Sequence, residues 1–420
     1  MTVRVTTLPN GLRVATDGMD TVETASLGVW VGVGTRHEAP EANGVSHLVE
    51  HMMFKGTPTR GAFEISQSIE SVGGHLNAHT TREHTAYYAK VLREDAPLAL
   101  DVVADMVQHS LMDAAELERE RTVILQELGQ VDDTPDDVIF DHFAARAFPD
   151  QGVGRPVLGR QEIIAAMPRD AVVDYVRRCY TAPNLVVVGS GRIDHDWLVG
   201  EATRLFTDLP PPGDPPATDA ASYVGGEVRE ERDLEQLHLV LGFPAVGYDH
   251  PSDFAQSVLS TLLGGGMSSR LFQEVREKRG LVYSIYSFAS PYADAGLFGI
   301  YAGCDPEQAT ELLPVVCEQV RGIGDDVTEE EVRRAKAQLK AGLMMSLEST
   351  GARAEQLGHQ LLAFGRPLPT EEVLARIAAV DRDAVIACAR RLLSAPPTVA
   401  AIGPLGHLEP YARIAERLAR

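Results

Sequence analysis

The sequence predicts an α+β protein made of two homologous domains, each a mostly antiparallel sheet packed with helices. Segments that alternate apolar and polar residues, as strands do, are mixed with segments of helical periodicity along the whole chain. One helix-break-strand segment occurs twice at a fixed spacing. The chain has 420 residues, of which 44% are hydrophobic, and this is enough apolar material for more than one core.

The repeated segment is a helix, an Ala-Pro break and a buried strand. It begins at Arg169 and again at Arg382, which gives a constant offset of 382 − 169 = 213. The acidic helix around Glu116 has a counterpart near Glu330 at almost the same offset. A period this long predicts a tandem duplication of one domain instead of a solenoid of short repeats.

A proline-rich stretch separates the two copies. Residues 209–216 read Leu-Pro-Pro-Pro-Gly-Asp-Pro-Pro, which is typical of a stiff, extended linker. We therefore predict an N-terminal domain over residues 1–207, a linker over 208–222 and a C-terminal domain over 223–420.

The first copy begins with a hairpin, since Asn10-Gly11 lies between two alternating segments and suits a type I′ turn. The patterns then predict, in order, a strand over 26–33, helices from Ser46 and over 62–72, two strands around a turn within 75–92, helices over 95–110, 113–128 and 137–147, two helical pieces within 160–178, and a buried strand over 185–189.

Bulk composition excludes several functional classes. The formal net charge is −22, from 60 acidic and 38 basic residues, which argues against nucleic-acid binding and fits a cationic partner or a plain solvated surface. The four cysteines show no C-x-x-C spacing and indicate reduced core residues. The sequence contains no apolar run of membrane-spanning length and no export signal, so we expect a cytoplasmic protein without a membrane anchor.

The best candidate for chemistry is the string His47-Leu48-Val49-Glu50-His51. On a helix, residues three and four apart share a face, so both imidazoles and the carboxylate point the same way. Two imidazoles at this spacing can bind one Zn²⁺ ion, and a carboxylate beside it can serve as a general base. H-x-x-E-H is the inverzincin motif. A chance pair of histidines on an amphipathic helix is the alternative interpretation of so short a match.

A rival metal cluster is formed by His75, His79 and His84. On a strand, His75 and His79 lie about 13 Å apart, too far to bind one ion together. Surface histidines are the simpler interpretation of this cluster.

The third ligand is best sought on the acidic helix. The offset from His51 to Glu127 is 127 − 51 = 76, and Glu120 lies two turns before Glu127 on the same face. The second copy has no H-x-x-E-H where the offset places it, at residues 251–259. Only one half of the chain therefore carries the metal motif.

In these motifs the chain resembles the pitrilysin/insulysin family of metallopeptidases, including the mitochondrial processing peptidase beta subunit and its bacterial relatives. The resemblance covers nearly the whole chain. It implies one Zn²⁺ per chain bound by His47, His51 and Glu127, with Glu50 as the general base. It also implies that Glu120 orients a ligand imidazole, although a solvated helix charge is an alternative for this residue.

The resemblance further implies two sets of substrate contacts. Asn77 and Ala78 lie on a strand that pairs with an extended peptide. Arg276 and Tyr283, seven residues apart in the second copy, bind the substrate carbonyl and stabilise the oxyanion. The glycine run at residues 264–266 suggests phosphate binding only weakly, since it has no Walker lysine.

Asp137 and Asp141 resemble the acidic pair with which the processing peptidase receives an arginine near the cleavage site. The first member here is one methylene shorter than the family's glutamate. Acidic residues that favour a helix N-terminus explain the same pattern, so both interpretations stay open.

These observations predict a zinc endopeptidase for extended or unfolded peptides, with two domains facing each other around a chamber. Metal motif and Arg276/Tyr283 lie on one chain, which favours a homodimer. The alternatives are a non-catalytic scaffold of the same fold and a peptide-binding subunit that needs a catalytic partner.

Overall fold

The computed structural model describes residues 3–212 and 218–419. Its strands are β1 (Val3–Thr7), β2 (Arg13–Gly18), β3 (Thr24–Val31), β4 (His75–Thr80), β5 (Thr85–Leu92), β6 (Leu185–Gly191), β7 (Gly226–Glu231), β8 (Leu237–Ala245), β9 (Ser284–Pro291), β10 (Gly296–Cys304) and β11 (Thr398–Gly403).

The α-helices are α1 (Val45–Met53), α2 (Ala62–Glu70), α3 (Ala96–His109), α4 (Ala114–Asp132), α5 (Pro135–Ala147), α6 (Gln161–Ala166), α7 (Arg169–Cys179), α8 (His195–Leu205), α9 (Asp253–Gly264), α10 (Ala309–Asp326), α11 (Glu329–Ser346), α12 (Thr350–Ala363), α13 (Thr370–Ala379), α14 (Arg382–Leu392) and α15 (Tyr411–Ala419). A π-helical segment spans Phe272–Glu277.

The chain forms two compact units that are not continuous in sequence. Unit 1 contains residues 1–128, 155–219 and 345–367, and unit 2 contains residues 129–154, 220–344 and 368–420. The predicted domains, residues 1–207 and 223–420, were continuous in sequence, so the two compact units do not coincide with them. As the boundaries of the duplicated halves, they stay a prediction. Residues 213–217 of the predicted linker lie outside the described residues.

Unit 1 is built on a six-stranded sheet with the order β1-β2-β6-β3-β5-β4. β6 runs parallel to β2 and antiparallel to β3. All seven residues of β6 are buried, as expected for a central strand made of Leu, Val and Gly with one serine, Ser190. β4 lies at the edge of the sheet, where β5 is its one partner among the described strands.

Unit 2 is built on a five-stranded sheet with the order β7-β11-β8-β10-β9. Its buried central strand β11 runs parallel to β7 and antiparallel to β8, as β6 does with β2 and β3. The repeated sequence segments α7-β6 and α14-β11 therefore occupy equivalent places in the two sheets. The predicted class, an α+β fold of two related domains, is confirmed.

Each sheet is covered on one face by a helix from the other half of the sequence. α12 packs on β3 and β6 in unit 1, and α5 packs on β8 and β11 in unit 2. The starts of the two helices are offset by 350 − 135 = 215, close to the repeat offset. The duplicated halves have exchanged equivalent helices.

The first hairpin differs from the type I′ prediction. β1 and β2 pair as expected, but three residues lie between Leu8 and Leu12, whose backbones are hydrogen-bonded at 2.8 Å. Gly11 has φ of +92°, whereas Asn10 has no positive φ. A type I′ turn needs two positive φ angles, and a single left-handed glycine is typical of the three-residue loop.

The structure also shows the state of the cysteines and the character of the helices. All four cysteines are free and buried. Among the residues that the structure describes, no helix is both long and apolar enough to cross a membrane.

Candidate metal centre

Helix α1 is anchored at its N-terminus by Glu38. The carboxylate of Glu38 accepts hydrogen bonds from the backbone N–H groups of Gly44 and Ser46, both at 2.8 Å. These are unpaired donors at the start of a helix, so the carboxylate satisfies them and complements the helix dipole. Gly44 adopts φ of +95°, which glycine tolerates. The turn into the motif helix is therefore fixed by local chemistry.

The two motif histidines converge on one carboxylate oxygen. His47 Nε2 lies 3.8 Å and His51 Nε2 lies 3.6 Å from Oε2 of Glu127 on helix α4. The two imidazole rings are 4.6 Å apart, centre to centre. Ligand atoms from these three residues all lie within 4.8 Å of one another. The structure thus brings together the three residues predicted to bind the metal.

Glu120 determines which nitrogen of His51 faces Glu127. A carboxylate oxygen of Glu120 lies 2.9 Å from His51 Nδ1, and a carboxylate can only accept, so Nδ1 carries the proton and Nε2 presents its lone pair. The other oxygen of Glu120 lies 2.6 Å from Lys55 Nζ. Glu120 is 6% exposed, which makes a solvated helix charge the poorer interpretation.

The donor set fits a zinc ion. Burial and the adjacent His51 lower the pKa of His47 from its ordinary value to about 3, so this imidazole is neutral, as a metal ligand must be. Two imidazoles and one carboxylate are a known catalytic zinc set with an open fourth position.

Glu50 lies on the same helix and is held by the sheet. Thr80, at the end of β4, donates a hydrogen bond from Oγ1 to Glu50 Oε2 at 2.6 Å. Burial raises the pKa of Glu50, an effect that this hydrogen bond and the nearby His51 partly oppose. A carboxyl group with a raised pKa beside a metal site is suited to proton transfer.

Asn77 and Ala78 lie on the edge strand β4, where they pair with Tyr88 and Tyr87 of β5. The side chain of Asn77 accepts the Ala78 backbone N–H at 2.9 Å. That donor therefore points away from β5, toward the side of β4 where no described strand pairs with it.

The remaining predicted site residues belong to unit 2. Asp137 and Asp141 lie one turn apart on helix α5, and Asp137 is exposed. Arg276 is exposed, with its guanidinium 4.9 Å from the ring centre of Phe272. Tyr283 is 77% exposed and directly precedes β9. Their roles toward a substrate stay predictions.

Sequence patterns missed three residues that support the site, namely Glu38, Lys55 and Thr80. Lys55 follows His51 by four residues, so helical spacing could have indicated it. Thr80 follows the predicted peptide strand without a motif of its own, and Glu38 precedes its helix in an irregular loop.

Two family models match the chain. Residues 13–161 match the model described as insulinase, peptidase family M16, and residues 166–339 match the model described as the inactive domain of peptidase M16. His47, His51 and Glu127 of the candidate metal centre lie within the first match. The second match supports the prediction that the second copy has lost the motif.

Several similar proteins are named as uncharacterized zinc proteases. One from Streptomyces coelicolor is 42% identical, over 96% of this chain and 90% of that protein. One from Mycobacterium tuberculosis is 43% identical, over 96% and 93%, and YmxG of Bacillus subtilis is 37% identical, over 96% and 98%.

A chain in the solved structure of complex III2 from Candida albicans shares the fold, with a TM-score of 0.90, 22% identity and full coverage of both chains. The resemblance to pitrilysin/insulysin metallopeptidases is thus confirmed by the family models and by the relatives. The chain belongs to the insulinase family of peptidases, family M16.

Proposed function

We propose that this protein is a zinc-dependent endopeptidase that hydrolyses extended or unfolded peptides. The observation that carries the proposal is the convergence of His47 Nε2 and His51 Nε2 on Glu127 Oε2, with Glu50 on the same helix. A bound zinc ion supplies Lewis acidity toward a substrate carbonyl and lowers the pKa of water. His47, His51 and Glu127 hold the ion in this proposal.

Glu50 serves as the general base and then returns the proton to the leaving amine. Thr80 keeps the carboxylate oriented for this transfer through its 2.6 Å hydrogen bond. Glu120 keeps His51 in the tautomer that binds metal.

The edge strand β4 receives the peptide through its backbone groups, so binding depends little on side-chain identity. We assign Arg276 and Tyr283, both exposed, to binding of the substrate carbonyl and the oxyanion. Asp137 and Asp141 supply a preference for basic residues near the cleavage site. We also propose that the protein is cytoplasmic and forms a homodimer. Mass measurement under native conditions tests the dimer.

The decisive experiment compares the wild type with Glu50→Gln on a mixed peptide library, with and without a chelator. We expect cleavage that the chelator abolishes, and a kcat about 10²–10⁴-fold lower in the variant at unchanged zinc content. Turnover by zinc-loaded E50Q at the wild-type rate contradicts the assignment. Absence of cleavage by the zinc-loaded wild type favours a non-catalytic scaffold.

A further inference from the structure

A second group of side chains that could hold a metal ion lies in unit 1 and shares no residue with the candidate centre described above. His79 at the end of β4, His84 just before β5 and Glu355 on helix α12 bring one potential ligand atom each within 4.8 Å of one another. The rival cluster considered from the sequence contained His79 and His84. Its true third member is not His75 but a carboxylate from the second half of the sequence.

The three ligand atoms form a nearly equilateral triangle. His79 Nε2 and His84 Nε2 are 3.4 Å apart, His84 Nε2 and Glu355 Oε1 are 3.3 Å apart, and His79 Nε2 and Glu355 Oε1 are 3.5 Å apart. Tetrahedral zinc with bonds of about 2.0–2.1 Å has ligand atoms separated by about 3.3–3.4 Å. A single proton can bridge only one side of such a triangle, whereas a metal ion can contact all three corners.

The surrounding hydrogen bonds orient two of the ligands. Thr81 Oγ1 lies 2.9 Å from the carbonyl oxygen of His84 and 3.1 Å from His84 Nδ1. The Thr81 hydroxyl therefore holds the His84 ring at Nδ1, and Nε2 faces the other two ligands.

Glu355 is oriented in the same way. The indole N–H of Trp30 donates to Oε2 of Glu355 at 3.0 Å, which leaves Oε1 for the histidines. Oε1 lies 3.3 Å from His84 Nε2 and 3.5 Å from His79 Nε2. One carboxylate oxygen therefore faces both imidazoles.

The position of the cluster allows a metal ion to enter and bind. The side chain of His79 is 33% exposed and that of Glu355 is 41% exposed, whereas that of His84 is 11% exposed. One side of the triangle is therefore open to solvent, where water can complete a tetrahedral shell. His359, one turn after Glu355, places its ring 5.7 Å from that of His84.

We propose that His79, His84 and Glu355 form a second binding site for a divalent transition-metal ion, with Zn²⁺ as the preferred occupant. Two imidazoles and one carboxylate favour such ions over Mg²⁺ or Ca²⁺, which prefer oxygen ligands. The ion joins the β4–β5 hairpin to helix α12. The expected metal content rises from one ion per chain to two, independently of peptidase activity.

The test is the zinc stoichiometry of chelator-treated full-length protein, titrated with Zn²⁺ alone. We expect two ions per chain for the wild type and one each for His84→Ala and Glu355→Gln, with affinity at the second site reduced more than about 100-fold. His47→Ala removes the other ion, and the double variant His47→Ala/His84→Ala binds none. The matched control is His75→Ala, an exposed histidine on the same strand, which keeps two.

A spectroscopic measurement separates a metal site from a simple ion pair. In the His51→Ala background, Co²⁺ bound at the second site gives visible absorption bands typical of tetrahedral coordination, and Glu355→Gln abolishes them. The Gln side chain still accepts the Trp30 N–H, so thermal unfolding of the metal-free protein should change little. A wild type that binds one ion, or E355Q and H84A variants that still bind two, overturns the proposal.

Discussion

At the scale of single residues, Glu120 links the metal centre to its surroundings. It accepts a hydrogen bond from His51 Nδ1 and forms an ion pair with Lys55. Replacement by glutamine keeps an acceptor for the imidazole but removes the charge. We expect Glu120→Gln to weaken zinc binding about 10–100-fold, as measured by competition with a chromophoric chelator.

Glu118 is the matched control for that measurement, because it lies on the same helix with a 69% exposed side chain. Glu118→Gln should leave zinc affinity unchanged. Equal affinities for the two variants would show that Glu120 has no role in orienting His51.

The motif residues could be recognised from sequence because helical spacing alone places His47, Glu50 and His51 on one face. The assignment of Glu127 as the third ligand came from the family resemblance. Its helix lies far from the motif helix in the sequence, and no local pattern relates the two. Glu355 could not be found at all. Its position beside His79 and His84 results from an exchange of helices between the halves, which a linear pattern does not encode.

At the scale of secondary-structure elements, helix α11 begins with a capping box. The backbone N–H and hydroxyl of Thr328 each donate to Glu331 Oε2 at 2.8 Å, and Thr328 Oγ1 accepts the Glu331 N–H at 3.3 Å. Arg270 adds two hydrogen bonds to the same carboxylate, at 2.6 and 2.9 Å. Burial opposes ionisation, but these contacts lower the pKa of Glu331 to about 2.

A carboxyl whose pKa is depressed on folding stabilises the protein above its unfolded pKa, and the contribution is lost as the pH falls through the folded pKa. We expect Glu331→Gln to lower the free energy of unfolding by about 1–2 kcal/mol at pH 7, after discounting for solvent screening. The difference should shrink between pH 4.5 and pH 2. Urea unfolding at several pH values measures it.

The control for this series is Glu330→Gln, which removes an exposed ion pair with Arg333 on the same helix. It should have no measurable effect at either pH. A destabilisation by E331Q that stays constant down to pH 3 would contradict the depressed pKa.

A second prediction at this scale concerns the edge strand β4. It rests on the proposed peptidase activity. Proline at position 78 removes the N–H that points away from β5, and edge strands tolerate proline on that side. Ala78→Pro should raise KM for an extended peptide about tenfold, the equivalent of one hydrogen bond.

Zinc content and unfolding temperature of the A78P variant should match the wild type, which separates lost peptide pairing from a damaged fold. A substrate too short to reach β4 should keep its KM. An unchanged KM for the long peptide would mean that peptides bind elsewhere.

Up to residue 191, the order of the elements was predictable because helix and strand periodicities are local properties of the sequence. Boundaries shifted by a few residues, as for the strand predicted over 26–33 and observed as Thr24–Val31. The type I′ turn was wrong because the choice between a two-residue and a three-residue loop depends on which neighbouring residues pair, here Leu8 and Leu12.

At the scale of the whole molecule, the exchanged helices fit their sheets by opposite means. In unit 1, Gly358 of helix α12 packs against Trp30 of strand β3, so closely that a Cβ on Gly358 would lie 2.6 Å from the indole ring. In unit 2 the strand contributes Gly242 and helix α5 contributes Phe143, and a Cβ on Gly242 would lie 2.1 Å from that ring. Large and small residues are interchanged, which disfavours the docking of either helix on the wrong sheet.

This complementarity predicts opposite effects for one substitution at two positions of helix α12. Gly358→Ala should destabilise the protein by about 1–3 kcal/mol, because the new methyl group meets the buried indole of Trp30. Gly351 has only ordinary contacts, the nearest at 3.7 Å, so Gly351→Ala should be neutral or stabilise by about 0.5–1 kcal/mol through helix propensity.

Urea unfolding of the metal-free variants measures both effects on the same helix. If α12 docks on β3 and β6 in solution, the two variants differ in the predicted direction. Combining Gly358→Ala with Trp30→Phe should then recover part of the lost free energy of unfolding, because the smaller ring leaves room for the new methyl group. Two variants of equal stability would show that the helix does not pack closely on this sheet. Glu355 would then not be held beside His79 and His84, so this stability measurement also tests the scaffold of the second metal site.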